Sequence, residues 1–485
     1  FESGLVPSDD PAESDRRKPG APAGWQLIGD RGAWLQGESA SGHRSVAVTG
    51  DGEASSYWRS EALSLEPRTT YRLSFVARRL SGEGGTPITG PVFCNRDLES
   101  IGESWQAYTS VFFTPDSLGP DFSRLRFGQW RLTGTVAFDD ISLRQVTPLY
   151  RNHQGGLALG EGEMIAGNSY RFRAPQLSVS RNHSRPLVRH QCDFNTYRWV
   201  LKSGSEVVYR HWVSGRSQIT AAVTVEVSYH VGGELLVEMS TDGSAWWTAG
   251  IVGGVNVATL DVPQSLLPSE SVWVRLSWRS RRRPVVDSDP GSFQISAYAY
   301  DAELDGDPVS LAGSTHFIAA MQEPSPAVVA VASVGDPLPG VPTAVQLRVD
   351  NSASRVFTAT GTVTVEERSP PYRSAISRLN VEILPGGQRI ILPYNFTFTG
   401  DLALEVRLVE EGEREGEKLA FRGETDLMAP AYFATTYGQR LSGGDEEVAV
   451  VWWASSGWKV PPMRPVPQAE GKAILISAAR AEAEA

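Results

Sequence analysis

Short runs of alternating apolar and polar residues, cut roughly every eight to twelve positions by glycine, proline or small polar residues, dominate this chain and restrict what it can fold into. Tyr71-Arg72-Leu73-Ser74-Phe75-Val76-Ala77-Arg78 is the clearest, with Tyr71, Leu73, Phe75 and Ala77 on one face. A period of two sends successive side chains to opposite faces of a strand, so one face can be buried while the other stays wet. The 47 Gly and 31 Pro leave few uninterrupted helical patterns. The expectation is an all-β chain of serial antiparallel sandwiches.

A chain of 485 residues is too long for one hydrophobic core, which implies several domains. Its 41% hydrophobic and 21% charged content is that of folded material. No run of eighteen apolar residues offers a membrane span. The formal net charge of −11 argues against general nucleic-acid binding and against adsorption to anionic lipid. There are 14 Trp and 14 Tyr; sandwich cores absorb most, and exposed ones suit stacking on sugar rings or a partner. Cys94 and Cys192, the only two cysteines, make no disulfide framework; we expect buried free thiols, with an inter-domain bridge as the alternative. The chain starts at Phe1 without Met, and a processed N-terminus on an exported protein is the simplest account. The Asn182-His183-Ser184 and Asn395-Phe396-Thr397 sequons are near chance frequency.

Residues 1–147 carry strands at Ser45–Val48, Tyr71–Arg78, Tyr108–Thr114, Leu125–Phe127 and Val136–Leu143. Along them run Phe1-Glu2-x-Gly4, Pro22-x-Gly24-Trp25, Ser41-Gly42-x-x-Ser45, Trp58-x-Ser60, Tyr71-x-Leu73-Ser74-Phe75, Trp105 before a strand, and Phe138-Asp139-Asp140-Ile141. In that order they resemble the galactose-binding-type jelly roll of carbohydrate-binding module families 4, 9 and 22. The resemblance implies a structural calcium where the first and last strands meet. Glu2 and Asp140 match the acidic ligand positions, and carbonyls around Ser41 and His43 would complete an oxygen shell. It also implies a glycan face. Trp34, Tyr57, Trp105 and Trp130 are the candidate platforms, each also suited to core packing.

Residues 148–313 read as a second, jelly-roll-like sandwich. Ser240-Thr241-Asp242-Gly243-Ser244-Ala245-Trp246-Trp247 is similar to a hairpin common in discoidin-like secreted sandwiches, its Asp-Gly favouring a tight turn. His153, His183, His190, His211 and His230 fall here. No H-x-H or H-E-x-x-H spacing joins them, so hydrogen-bonded or surface roles are expected in place of a metal site. The basic run Arg279-Ser280-Arg281-Arg282-Arg283 reads as a solvated loop pairing with the nearby carboxylates Asp287 and Asp289, with contact to an acidic glycan or a neighbouring domain as the alternative.

Residues 314–430 alternate through six or seven short strands, as an immunoglobulin-like spacer would. The acidic stretch Glu410–Lys418 reads as a solvated tip. Residues 431–485 begin a sheet at Ala449–Ala454, Gly457–Val460 and Ala473–Ser477 that lacks a return partner. We expect an incomplete β-domain, with a larger unit after Ala485. The end resembles the sandwich before the barrel in enzymes similar to glycoside hydrolase family 123. Ala479, Arg480, Glu482 and Glu484 match its motif, while Ala481 stands where Asn is usual. That resemblance places the acid–base residues beyond Ala485 and carries no catalytic residue into this chain.

No G-x-S-x-G elbow, P-loop, Rossmann fingerprint or H-E-x-x-H occurs. Asp139 and Asp140 are adjacent on a strand and point to opposite faces, so they cannot act as a pair. The expected function is therefore that of non-catalytic carbohydrate-binding and spacer modules of an exported bacterial glycan-degrading protein, secreted or at the cell surface. The alternative is a structural surface or matrix protein assembling into a lattice or filament through a free C-terminal sheet edge. A third reading puts an enzyme site in the histidine-rich second segment.

Overall fold

The computed structural model describes residues 20–98, 101–119, 122–149, 151–152, 158–160, 162–174, 182–279, 293–308, 319–322, 325–335, 337, 339–368, 370–398, 402–410, 419–427, 431–439, 448–454 and 473–475. Among them every regular element is a strand except one short 3₁₀ turn, Gln264–Leu266. The all-β expectation holds. The described residues form two compact units. One holds the chain up to Val146 with Gly162–Met164 and Ser169–Gly306; the other holds the rest.

The first unit opens with ten strands: β1 (Trp25–Ile28), β2 (Gly32–Gln36), β3 (Arg44–Asp51), β4 (Ser55–Ser60), β5 (Thr70–Ser81), β6 (Thr86–Pro91), β7 (Cys94–Asp97), β8 (Gln106–Phe113), β9 (Leu125–Trp130) and β10 (Thr133–Gln145). They make two facing sheets, ordered β1-β4-β9-β6-β7 and β2-β3-β10-β5-β8. The alternation read from sequence decides what lies between. Tyr71, Leu73, Phe75 and Ala77 of β5 are buried, as are Trp58, Phe127 and Phe138. Phe127 stands edge-on to Phe75 and Phe138, with centroids 5.0 and 5.5 Å away. Each such ring stabilises the fold by about 1.5–3 kcal/mol through burial. Trp58 also ties the sheets together, its indole N–H donating to the Ala47 carbonyl at 2.9 Å.

A parallel pairing carries the first sheet into a second sandwich. Cys94 and Asn95 of β7 are in register with Phe194 and Asn195 of the strand Asp193–Asn195. The sheet continues through Arg198–Leu201 and Phe293–Leu304 to Gln218–His230 and Asn256–Asp261. Its facing sheet is Leu187–Gln191, Glu206–Trp212, Ser271–Arg279, Glu234–Ser240 and Trp247–Val252. The two sandwiches are therefore one body. The Asn182 side chain clamps Phe113, accepting from its N–H at 2.7 Å and donating to its carbonyl at 3.2 Å. Asn182 is buried, so this sequon is a structural clasp. Cys94 and Cys192 are free and buried.

The Asp-Gly hairpin forms as expected between Glu234–Ser240 and Trp247–Val252. Asp242 accepts the Ser244 and Ala245 N–H groups at 2.7 and 2.9 Å, and these bonds hold its carboxyl well below the usual range. Gly243 has φ +75, and a Cβ there would crowd the Trp273 ring at 3.0 Å.

The second unit packs the sheet Ala327–Ser333, Thr343–Asn351, Gly386–Tyr394 against one of six strands. The six include Thr147–Leu149 beside Ala319–Gln322, then Ala420–Leu427, Leu402–Glu410, Phe357–Glu367 and Ser374–Ile383. Val329, Leu347, Val363, Leu404 and Val406 fill the core. Strands Ala431–Gln439, Val448–Ala454 and Ala473–Leu475 form a separate sheet, as the sequence suggested for two of them. The expected strand Gly457–Val460, the acidic tip at 411–418, the basic loop from Ser280 and the motif from Ala479 lie outside the described residues.

Candidate functional site

Strand register assigns the four candidate aromatics to different places. On β4 and β9 the buried partners are Trp58 and Phe127, opposite each other. Alternation turns Tyr57 and Arg59 of β4, and Arg126, Gly128 and Trp130 of β9, to the outer face. Tyr57 faces Gly128, with Arg126 and Trp130 as its diagonal neighbours, roughly 7–8 Å away. A Cβ on Gly128 would meet the Tyr57 Cβ at 2.2 Å, so only glycine fits beneath that side chain. Tyr57 is half-buried, whereas Trp130 is 53% exposed. The Arg131 guanidinium lies 5.2 Å from the Trp130 ring centroid. Tyr57 and Trp130 thus share one face of the sandwich.

Trp34 and Trp105 do not join them. Trp34 pairs with the fully buried Val46, so it sits on the inner side at a sheet edge, with Arg44 3.9 Å over its ring. Trp105 precedes β8, and its ring lies 5.0 Å from Arg78. Arg78 alternates with the buried Ala77 and is on the outer face of the opposite sheet. The sequence had no means of separating these positions, because each Trp is locally followed by strand-like residues.

Polar side chains frame the Tyr57–Trp130 face. Arg59 donates to Gln26 Oε1 at 3.0 Å. Arg126 reaches across β6 at Gly90, its register partner, to donate to Asn95 Oδ1 at 3.3 Å. Loss of hydration lowers the Arg126 pKa, opposed by Tyr57, Asp193 and Asp97 nearby. Asn95 donates to Asp97 at 2.7 Å and to Asn195 at 3.1 Å. None of these polar residues was singled out from sequence. The patterns Tyr57-x-Arg59 and Arg126-x-Gly128-x-Trp130 hold the signal, which needs the register to be read.

At the other corner, Asp139 is buried and binds the loop before β3. Its Oδ2 accepts the Ala40 N–H at 2.8 Å and its Oδ1 the Asp140 N–H at 2.9 Å. A bulge follows, where β10 slips against β5 between Asp139 and Ser142, and Asp140 has φ +49. Ser41 Oγ donates to Asp140 Oδ1. Asp140 is thus tied to the loop at Ser41, while the His43 carbonyl accepts the Gly37 N–H at 2.9 Å. Glu2 lies outside the described residues. Among the described residues no three His, Cys, Asp or Glu side chains converge as a metal site.

The second sandwich holds the other cluster of titratable groups. Arg185 binds Glu163 through two nitrogens, at 2.6 and 2.5 Å. Tyr170 donates to Glu163 at 2.7 Å. His211 stacks on Tyr300 at 3.7 Å, and its Nε2 is 2.8 Å from the Tyr298 hydroxyl. Burial holds the His211 imidazole well below its ordinary pKa, with Arg185 adding to the effect. His211, Tyr170 and Tyr300 are fully buried. His190 is also buried, between the Phe113 and Cys192 carbonyls at 2.9 and 3.0 Å. His230 lies 3.1 Å from the Gly233 carbonyl. These histidines serve separate local bonds; His153 is outside the described residues.

No family model and no curated protein matches the chain. Solved structures similar to it include a Family 16 carbohydrate-binding module-2, 18% identical over 24% of this chain and 86% of that chain, with a TM-score of 0.21. The N-terminal CBM22-1-CBM22-2 tandem domain of Paenibacillus barcinonensis Xyn10C is 11% identical over 59% of this chain and 95% of that chain, at 0.23. Bacteroides uniformis beta-glucuronidase is 11% identical over 47% of this chain, at 0.14, and the match spans 26% of that enzyme. The ligand has to be read from the face itself.

Proposed function

We propose that the chain is a non-catalytic glycan-binding protein whose binding face is the outer surface of β1-β4-β9-β6-β7. The observation that carries this reading is the placement of Tyr57 and Trp130 on one face, framed by Arg59, Arg126 and Asn95. A sugar ring presents apolar C–H faces and a rim of hydroxyls, so it takes an aromatic platform with polar side chains at its edge. We further propose that the chain belongs to an exported glycan-degrading protein, secreted or at the cell surface, in which it holds polysaccharide near a catalytic domain. Linking two sites raises the effective concentration of the second by tethering alone. A calcium ion held by Asp140 and the loop through Ser41 and His43 would brace the corner away from this face.

Affinity electrophoresis through gels containing single polysaccharides tests the reading. At least one polymer should retard the protein, and Tyr57→Ala or Trp130→Ala should weaken that retention about tenfold, as for loss of a stacking contact of roughly 1–1.5 kcal/mol. Trp105→Ala, on the opposite face, should bind as the parent does. Equal loss from all three variants, or none from the first two, would overturn the assignment.

A further inference from the structure

Arg59 and Arg126 are directly opposite each other in the β4–β9 register. Like charges facing across neighbouring strands repel, and sheets normally place a carboxylate between or beside them. Here the hydrogen-bond partners of both are neutral: Gln26 for Arg59 and Asn95 for Arg126. The nearby carboxylates are committed elsewhere, Asp97 to Asn95 and Asp193 to Lys202 at 3.0 Å. The pair lies to one side of Tyr57, which Gly128 leaves without a side chain opposite, and the Arg126 guanidinium is 6.0 Å from the Tyr57 ring centroid.

Building on the glycan-binding reading, we propose that this face selects acidic polysaccharides, with a carboxylate or sulfate of a sugar stacked on Tyr57 bound by the Arg59 and Arg126 guanidinium groups beside that ring. A planar guanidinium offers paired N–H donors that match either anion. The anion would supply the negative charge that the neutral partners Gln26 and Asn95 lack, which a neutral sugar cannot do. The net charge of −11 does not oppose this at short range, because charges beyond about 8 Å are largely screened at physiological salt.

The test compares matched polymers that differ in charge: polygalacturonate against its highly methyl-esterified form, and kappa-carrageenan against agarose. The first pair isolates a carboxylate and the second a sulfate. One acidic polymer should be bound at least tenfold more tightly than its neutral counterpart, with affinity falling as salt rises. Arg59→Gln should reduce that preference to near unity at unchanged melting temperature, and Arg59→Lys should recover part of it. Arg348→Gln, in the second unit, should leave it intact. Equal binding of the charged and neutral forms, or a preference that survives Arg59→Gln, overturns the proposal while leaving glycan binding in place. Failure to bind any polymer overturns both.

Discussion

Asn95 and Asn195 stand in register across the parallel pairing of β7 with Asp193–Asn195, and Asn95 Nδ2 donates to Asn195 Oδ1 at 3.1 Å. Around them Phe194 N–H donates to the Phe93 carbonyl at 2.7 Å and Thr196 N–H to the Asn95 carbonyl at 2.8 Å. Two sandwiches that could have been separate thus share backbone hydrogen bonds and one continuous sheet.

This seam should couple their stabilities. Asn182→Ala removes the acceptor of the part-buried Phe113 N–H, at a cost of about 1–3 kcal/mol. Urea unfolding followed by Trp fluorescence should show one shifted transition for both sandwiches. A split transition, with only one half displaced, would mean that the seam does not couple them.

Acid should destabilise the first unit through buried His211. In the folded state burial lowers the pKa of His211, while in the unfolded chain its imidazole titrates near 6.5. Below about 6.5 the unfolded state binds more protons, so stability is fully present above that value and falls as pH drops further. The slope approaches about 1.4 kcal/mol per pH unit for this group. Melting temperatures from pH 8 to pH 5 should fall, and His211→Phe, which keeps the ring stack, should flatten the dependence. A parent curve that is flat through this range would count against a neutral buried His211.

Glu163 and Arg185 form an ion pair in which the carboxylate is wholly buried and the guanidinium nearly so. Glu163→Ala strands that cation and should cost about 3–5 kcal/mol. Glu163→Ala with Arg185→Met, which empties the site of charge, should recover much of the loss. Chemical denaturation of the two variants measures the difference, and an equal loss in both would show that packing, not charge, sets the cost.

Calcium at Asp140 should appear as a chelator effect. A ligand that binds only the folded state at a hundred times its Kd adds about 2.7 kcal/mol. EDTA should lower the melting temperature, added calcium should restore it, and Asp140→Ala should abolish the response. A melting temperature indifferent to EDTA and calcium would remove the ion from this corner.

Much of this architecture is carried by local pattern. Tyr71, Leu73, Phe75 and Ala77 alternate, so the core face of β5 could be named without coordinates, and so could the Asp242-Gly243 turn. Those features depend on residues close in sequence, where a period of two or one φ-positive glycine settles the outcome. Tertiary structure alone decided which aromatics share a surface. Tyr57 and Trp130 are 73 positions apart and meet because β4 pairs with β9, while Trp105 is carried to the other sheet. It decided equally that Arg59 faces Arg126, and that Asn95 faces Asn195 across two sandwiches. Register between strands distant in sequence is set by the packing of the whole core, since a one-residue slip would turn every buried side chain outward.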